Sequence, residues 1–287
     1  MAVVPLLPAL LAADRSASRA FFEFGRLFPR IVWRLFEAGG DGRLWIPLCT
    51  VAASGLPFVL LRASRGEAVG ASETSVSGSS APPTSPLVPR SVTSLLSSLV
   101  PSGCAPGVSE SLLFDLSLLA ANTLVGLAVD LVLVGLCKLL FKRPRPAYNV
   151  QEDFTVVVSV DAHSFPSGHA ARTAFLALFM SRCLGEGFFR PAAGRAAQAA
   201  GAAGALGRLA GAARAVGPQT LWWTWALATS LSRVAMGRHY LLDVAAGFAL
   251  GQATARVATG GTLSRQGWWV SGRMLRDAWE RIWGVEL

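Results

Sequence analysis

Charged residues are scarce in this chain. They make up 15% of it, where a soluble domain carries about 25%. With 52% hydrophobic residues and a mean hydropathy of +0.47, the scarcity excludes an ordinary water-soluble domain and implies a membrane protein. Acidic residues are the scarcer sign, 17 against 26 basic, for a net charge of +9. The arginines flank apolar runs and build no dense basic helix, which argues against nucleic acid as a partner. Anionic lipid surfaces and anionic substrates suit the charge instead. Cysteine is sparse too: Cys49, Cys104, Cys137 and Cys183 include no pair at metal-ligand spacing, so buried free thiols are expected. The apolar run 2–13 has no positive segment before it, which argues against a cleaved signal peptide. Histidine is the rarest useful residue, present only as His163, His169 and His239.

What is present is a series of apolar runs. The expected fold is all-α: a transmembrane helix bundle of about five spans with the active site at one membrane face. Residues 1–43 form an N-terminal arm. Within it Arg26, Arg30 and Arg34 recur every four residues among aromatics, as in an interfacial helix, with Pro29 as a potential break. The expected spans are 44–61, 112–141, 170–184, 221–234 and 241–257. The membrane core is expected over 111–258. Two segments interrupt the series, a Ser/Pro-rich loop over 62–110 and an Ala/Gly/Arg insertion over 185–217. A basic tail over 259–287 carries Trp268, Trp269, Trp279 and Trp283 and is expected at the headgroup surface. Asp130 lies inside the second run, where a carboxylate must face protein or water. A helix–helix hydrogen bond is the favoured reading, and a partner for a site cation the other.

With each run crossing once, the second ends, the third begins, the fourth ends and the fifth begins on one face. Three short polar stretches meet there: Lys138 with Arg145-Pro146, Pro166-Ser167-Gly168-His169, and Ser232-Arg233 with His239 and Asp243. Lys138, Arg145 and Arg233 suit phosphate oxygens. Ser167 can donate from its hydroxyl, and Gly168 allows close backbone approach at a helix start. His239 and Asp243 are four apart, so on a helix the carboxylate would orient the imidazole. His239 then serves as nucleophile toward phosphorus, and His169 as the acid and later the base. Two histidines and an aspartate could also bind zinc, but the surrounding cations would repel it, so no metal and no cofactor are expected. His163 is read as a surface residue. Lys142 and Arg143, near the site but off its spacing, are read as steering anions.

These three stretches, in this order, resemble the signature motifs of the type 2 phosphatidic acid phosphatase superfamily. The resemblance covers about 111–258. It implies metal-independent hydrolysis through a phosphohistidine. It also implies that Lys138, Arg145, Ser167, Gly168 and Arg233 bind phosphate, while His239, His169 and Asp243 do the chemistry. Further runs, Arg143-Pro-Arg-Pro-Ala-Tyr-Asn149, Val158-Ser-Val-Asp161 and Leu231-Ser-Arg-Val-Ala-Met-Gly-Arg-His239, are similar to the polyisoprenoid diphosphate/phosphate phosphohydrolase branch. That branch implies farnesyl, geranylgeranyl and presqualene diphosphates as substrates. It also implies the endoplasmic reticulum and nuclear envelope as location. The basic arm favours a cytosolic site.

The second substrate class is phosphatidate, lysophosphatidate and sphingosine phosphate. A non-catalytic membrane scaffold would be expected to have lost a motif residue, and none is missing. A vanadate-dependent peroxidase shares the anion geometry but not five apolar spans. The partners expected are therefore a lipid phosphate and the bilayer, with self-association left open.

Overall fold

The computed structural model describes residues 6–57, 59, 110–148, 162–185, 217–259 and 270–283. The Ser/Pro-rich loop and the Ala/Gly/Arg insertion lie outside them. The described residues are helical, in the order α1 Leu6–Gly25, α2 Arg30–Gly39, α3 Gly42–Ala53, α4 Glu110–Phe141, α5 Gly168–Gly185, α6 Pro218–Ala235, α7 Leu241–Ala258 and α8 Gly272–Trp283. One isolated bridge joins Pro144 and His163. The chain divides into two units, Met1–Ile46 with Val125–Gly267, and Pro47–Leu124 with Trp268–Leu287.

The first unit is built around α5. Ala170, Ala171, Thr173, Ala174, Phe175, Leu176, Ala177 and Phe179 are all fully buried, so the helix is enclosed on nearly every side. Glycines on α7 permit its closest approach. A Cβ at Gly247 would lie 2.3 Å from the Ser167 carbonyl oxygen, and one at Gly251 only 1.9 Å from that of Ala171. The pair is four residues apart, the small-residue spacing that lets membrane helices touch along their backbones. Gly251→Ala is therefore expected to force α7 off α5, at a cost of about 1–3 kcal/mol. It should lower the melting temperature and the activity together. Gly135→Ala is the control, since its Cβ would meet nothing within 4 Å. Thermal unfolding of the two purified variants tests this.

α4 meets the length condition for crossing. Leu113–Phe141, 29 residues, is the one helix among the described residues long and apolar enough by length and composition. Its outer face carries Leu131, Val132, Leu136, Leu139, Leu140 and Phe141, all more than half exposed. Apolar surface of that kind fits hydrocarbon rather than water. α5, α6 and α7 have 18 residues each. Their buried polar residues, such as Thr229, Ser230, Ser232 and Arg233 on α6, lower their hydropathy while facing the interior. The expected first span differs more. α3 has 12 residues, about 18 Å, and ends in a turn at Ser54 and Gly55. Gly55 has φ +78°, a backbone state that favours glycine.

The arm also differs from one continuous helix. α1 ends at Gly25, and α2 starts after Pro29, whose ring cannot continue a helix interior. The apolar run 2–13 falls mostly within α1. Both arm helices belong to the first unit.

The second unit has its own core of Leu118, Ala121, Leu275 and Trp279, with Ala53, Phe114, Val270 and Trp283 packed against it. The indole N–H groups of Trp279 and Trp283 donate to the carbonyls of Ala53 (3.0 Å) and Ser54 (2.7 Å). Trp279 is 2% exposed, which corrects its expected headgroup position: Leu275 and Trp279, four apart, form the buried face of an amphipathic helix. Trp268 and Trp269 lie outside the described residues. Cys49 and Cys183 are buried thiols, and Cys137 is a half-buried one.

Candidate active site

The three polar stretches converge in the first unit. α4 stops because Lys142 adopts φ +44°, a left-handed helix end, and Pro144 and Pro146 bar further helix. The extended residues that follow join the second stretch. The Ser164 N–H donates to the Arg143 carbonyl (2.8 Å), and the Ser164 hydroxyl donates to the Pro144 carbonyl (3.1 Å). His163 is half-buried and bridges Pro144 through its backbone, a correction to its reading as a surface residue. The Phe165–Pro166 peptide is cis, and α5 begins at Gly168. The third stretch is a tight turn between α6 and α7. Gly237 sits at φ +70°, and the N–H groups of Arg238 and His239 both donate to the Arg233 carbonyl (2.9 and 3.3 Å).

His239 is 3% exposed. Its Nδ1 lies 2.7 Å from the Ser164 carbonyl oxygen, so the ring is held with Nδ1 protonated and Nε2 carrying the lone pair. Asp243 Oδ2 stands 3.8 Å from Nδ1. That exceeds a hydrogen bond, so Asp243 acts on the ring through its charge. The expected helical four-residue contact does not apply, because α7 starts at Leu241, after His239. Asp243 instead receives the Tyr240 N–H (2.9 Å) and Arg143 Nη1 (2.7 Å). Its carbonyl accepts the Ser167 N–H (2.9 Å), which ties the starts of α5 and α7 together.

Arg143 is thus a structural residue rather than a steering one, a further correction. It sits over the Tyr240 ring at 4.1 Å and pairs with Asp243 and with Asp14 Oδ2 (2.6 Å). Asp14 and Ser18, on α1, accept the first free N–H groups of α7, from Leu242 (3.0 Å) and Leu241 (2.9 Å). They supply the caps and negative charge that a helix start favours. Sequence reasoning missed both residues.

Lys138 and Arg233 are buried, and Arg145 Nη1 donates to the Arg238 carbonyl (2.9 Å). Arg233 Nη1 meets Glu37 Oε1 at 2.5 Å. Three buried polar atoms of the motifs have no hydrogen-bond partner among the described residues: Ser167 Oγ, His169 Nε2 and Arg233 Nε. Buried polar atoms are normally satisfied, so a donor-rich set of this kind fits a ligand with several acceptor oxygens. Burial, with the nearby guanidinium charges of Arg145 and Arg233, pushes the His239 imidazole down to about 4, against the pull of Asp243. The ring is therefore neutral at pH 7, the state a nucleophile needs.

Residues 119–265 match the PAP2 superfamily, a stretch that contains all three motifs. The chain belongs to the PAP2 superfamily. A relative from Arabidopsis thaliana, described as probable lipid phosphate phosphatase beta, is 39% identical over 135 residues, 45% of this chain and 58% of that protein. The chain thus spans less than two thirds of that PAP2 relative's length. A solved PAP2-type phosphatidylglycerolphosphate phosphatase from Bacillus subtilis aligns over 88% of this chain and 86% of its own, at 17% identity and a TM-score of 0.48.

Two further features bear on the PAP2 site. Asp130 is fully buried, but neither carboxyl oxygen has a hydrogen-bond partner among the described residues, which corrects the expected helix–helix bond. Arg172 is the cation that acts on it, and Arg172 has turned Nη1 to the Gly40 carbonyl instead (3.0 Å). Among the described residues no three of His, Cys, Asp and Glu are grouped to hold a metal.

Proposed function

We propose that this protein is an integral membrane phosphatase of lipid phosphates, working through a phosphohistidine on His239 without a metal. The observation that carries the reading is the set of unpartnered buried atoms, Ser167 Oγ, His169 Nε2 and Arg233 Nε, in the same unit as neutral His239. The substrate phosphate receives hydrogen bonds from Ser167, the Gly168 region, Lys138, Arg145 and Arg233. These spread the charge that builds on its oxygens. His239 Nε2 attacks phosphorus as the bond to the leaving oxygen breaks. His169, whose protonated form the bound phosphate favours, gives that oxygen its proton. Neutral His169 then takes a proton from water, the water oxygen attacks the phosphohistidine, and inorganic phosphate leaves with His239 restored. Asp243 and the Ser164 carbonyl stabilise the positive ring during transfer.

Within this class we place polyisoprenoid diphosphates first, and phosphatidate, lysophosphatidate and sphingosine phosphate second. A cavity of about 530 Å³ beside Arg238 supports that order. Arg26, Arg30, Arg34 and Arg238 line it, together with Phe22, Phe28, Trp33 and Tyr148. A second phosphate needs cations beyond the first set, and an isoprenoid chain suits aromatic walls. The endoplasmic reticulum and the nuclear envelope belong to the same reading and rest on the motif resemblance, and a cytosolic site rests on the basic arm.

The test is phosphate release by detergent-solubilised protein in EDTA, from farnesyl diphosphate and phosphatidate side by side. Release from both, with farnesyl diphosphate preferred, is the expected result. Arg34→Ala should raise KM for the diphosphate several-fold and leave that for phosphatidate nearly unchanged. Loss of release in EDTA, restored by a divalent ion, overturns the metal-free mechanism. Preference for phosphatidate overturns the branch.

A further inference from the structure

We infer that Glu37 is a positioning residue of the phosphate site, holding Arg233 so that its Nε faces the substrate; the inference rests on the phosphatase reading above. Glu37 lies on α2, outside the PAP2 match at 119–265, 196 residues before Arg233. Arg233 is 2% exposed. A guanidinium this deep needs an anion in the absence of substrate, and Glu37 Oε1 supplies it at 2.5 Å from Nη1. The same oxygen lies 3.9 Å from Nε of Arg238, the residue whose carbonyl holds Arg145. One carboxylate therefore acts on two cations, and through them on three arginines of the site.

The division of the Arg233 fork matters. Glu37 takes Nη1, while Nε has no partner. A guanidinium held at one end keeps its plane fixed and presents its other edge, the bidentate geometry phosphate requires. The charges of Arg233 and Arg238 outweigh the effect of burial and hold the Glu37 carboxyl below its ordinary value, so it is ionised at neutral pH.

α2 is fixed where this contact is made. The Phe36 carbonyl accepts the Thr229 hydroxyl (3.2 Å), and the Gly40 carbonyl accepts Arg172 Nη1 (3.0 Å). A Cβ at Gly40 would press on Thr229 (2.7 Å), Thr173 (3.1 Å) and the His169 ring (3.4 Å). This end of α2 is packed against α5 and α6 beside the catalytic histidine, while the helix as a whole has no buried residue. At its other end the Trp33 indole N–H donates to the Gly25 carbonyl (2.9 Å), so α2 is tied down on both sides of Glu37, as a positioning element needs.

Glu37→Gln and Glu37→Ala separate geometry from charge. Glutamine keeps an acceptor for Nη1, and alanine frees the guanidinium to rotate. Alanine is expected to lower kcat by about 10–100-fold, the scale of a misplaced catalytic group, and glutamine to restore it to within a few-fold. Because glutamine also removes a charge that repels phosphate, inorganic phosphate should bind the Gln variant more tightly than wild type in calorimetry. If both variants keep wild-type kcat and phosphate affinity, the inference is overturned. It is also overturned if both lose activity only in proportion to lost folded protein. Calorimetry reads the Arg233 arrangement without turnover. Inactive wild-type protein whose phosphate affinity still responds to Glu37 would sink the phosphatase reading and leave this one standing.

Discussion

Replacement of His239 by alanine is expected to abolish turnover, by at least about 10³-fold, while the protein remains folded. Among the described residues the ring makes one hydrogen bond, from Nδ1 to the Ser164 carbonyl, and its loss leaves that acceptor unpaired, a cost of about 1–3 kcal/mol. Its proposed role has no substitute nearby, because the other site groups are cations, hydroxyls and His169, to which the same proposal gives the proton transfers. Phosphate binding should therefore survive in the variant when measured by calorimetry, and phosphate release should not. The pH dependence checks the same assignment. The imidazole is held at about 4, against about 6.5 for an ordinary histidine. The nucleophile stays unprotonated until pH falls through about 4, and kcat/KM, corrected for substrate protonation, should stay flat from pH 6.5 to 5. Folding stability follows with the same sign. Between the two values the unfolded chain binds the proton and the folded one does not, so the contribution of His239 is complete above about 6.5 and is lost as pH falls toward about 4. A limb centred near 6.5 in the wild-type profile would show that a different histidine attacks.

The three motif stretches stood out in the sequence because phosphate chemistry would call for fixed residue types at short spacings, and the structure brings them together in one unit. The helices bearing them were readable because α4 to α7 are apolar runs ended by glycine, proline or polar turns. What could not be read was how the site is supported from outside those runs. Asp14, Ser18 and Glu37 meet their partners across 129, 223 and 196 residues, and no local pattern encodes a contact of that length. Arg143 and Arg145 flank one proline, and the spacing that set them apart did not show that Arg143 binds two carboxylates while Arg145 donates to a backbone carbonyl. The His239–Asp243 pair misled in a specific way. Four-residue spacing means contact only on a helix, and the helix begins between the two. The spacing in fact encodes a helix cap, with Asp243 returning to the Tyr240 N–H.

Arg143→Ala is expected to be the most destabilising single change in the site. It would leave two carboxylates without their common cation, Asp14 with a side chain 2% exposed and Asp243 fully buried. Removing one member of a buried ionic group costs about 3–5 kcal/mol, because the remaining charges stay out of water uncompensated. In a chain of this size that lowers the melting temperature by about 10 °C. The damage reaches the chemistry as well, since Asp243 also carries the Ser167 N–H on its carbonyl and faces His239. Asp14→Asn should be milder. Asparagine can still accept the Leu242 N–H, and Arg143 keeps Asp243 as a partner. The double variant Asp14→Asn, Arg143→Ala removes one of the stranded charges, so its loss should fall below the sum of the single losses. Such non-additivity is the mark of a shared network. Thermal unfolding of the three variants in one detergent measures it. Strict additivity, or a loss below about 1 kcal/mol for Arg143→Ala, would mean that water reaches these carboxylates, and that α1 does not hold α7 through this triad.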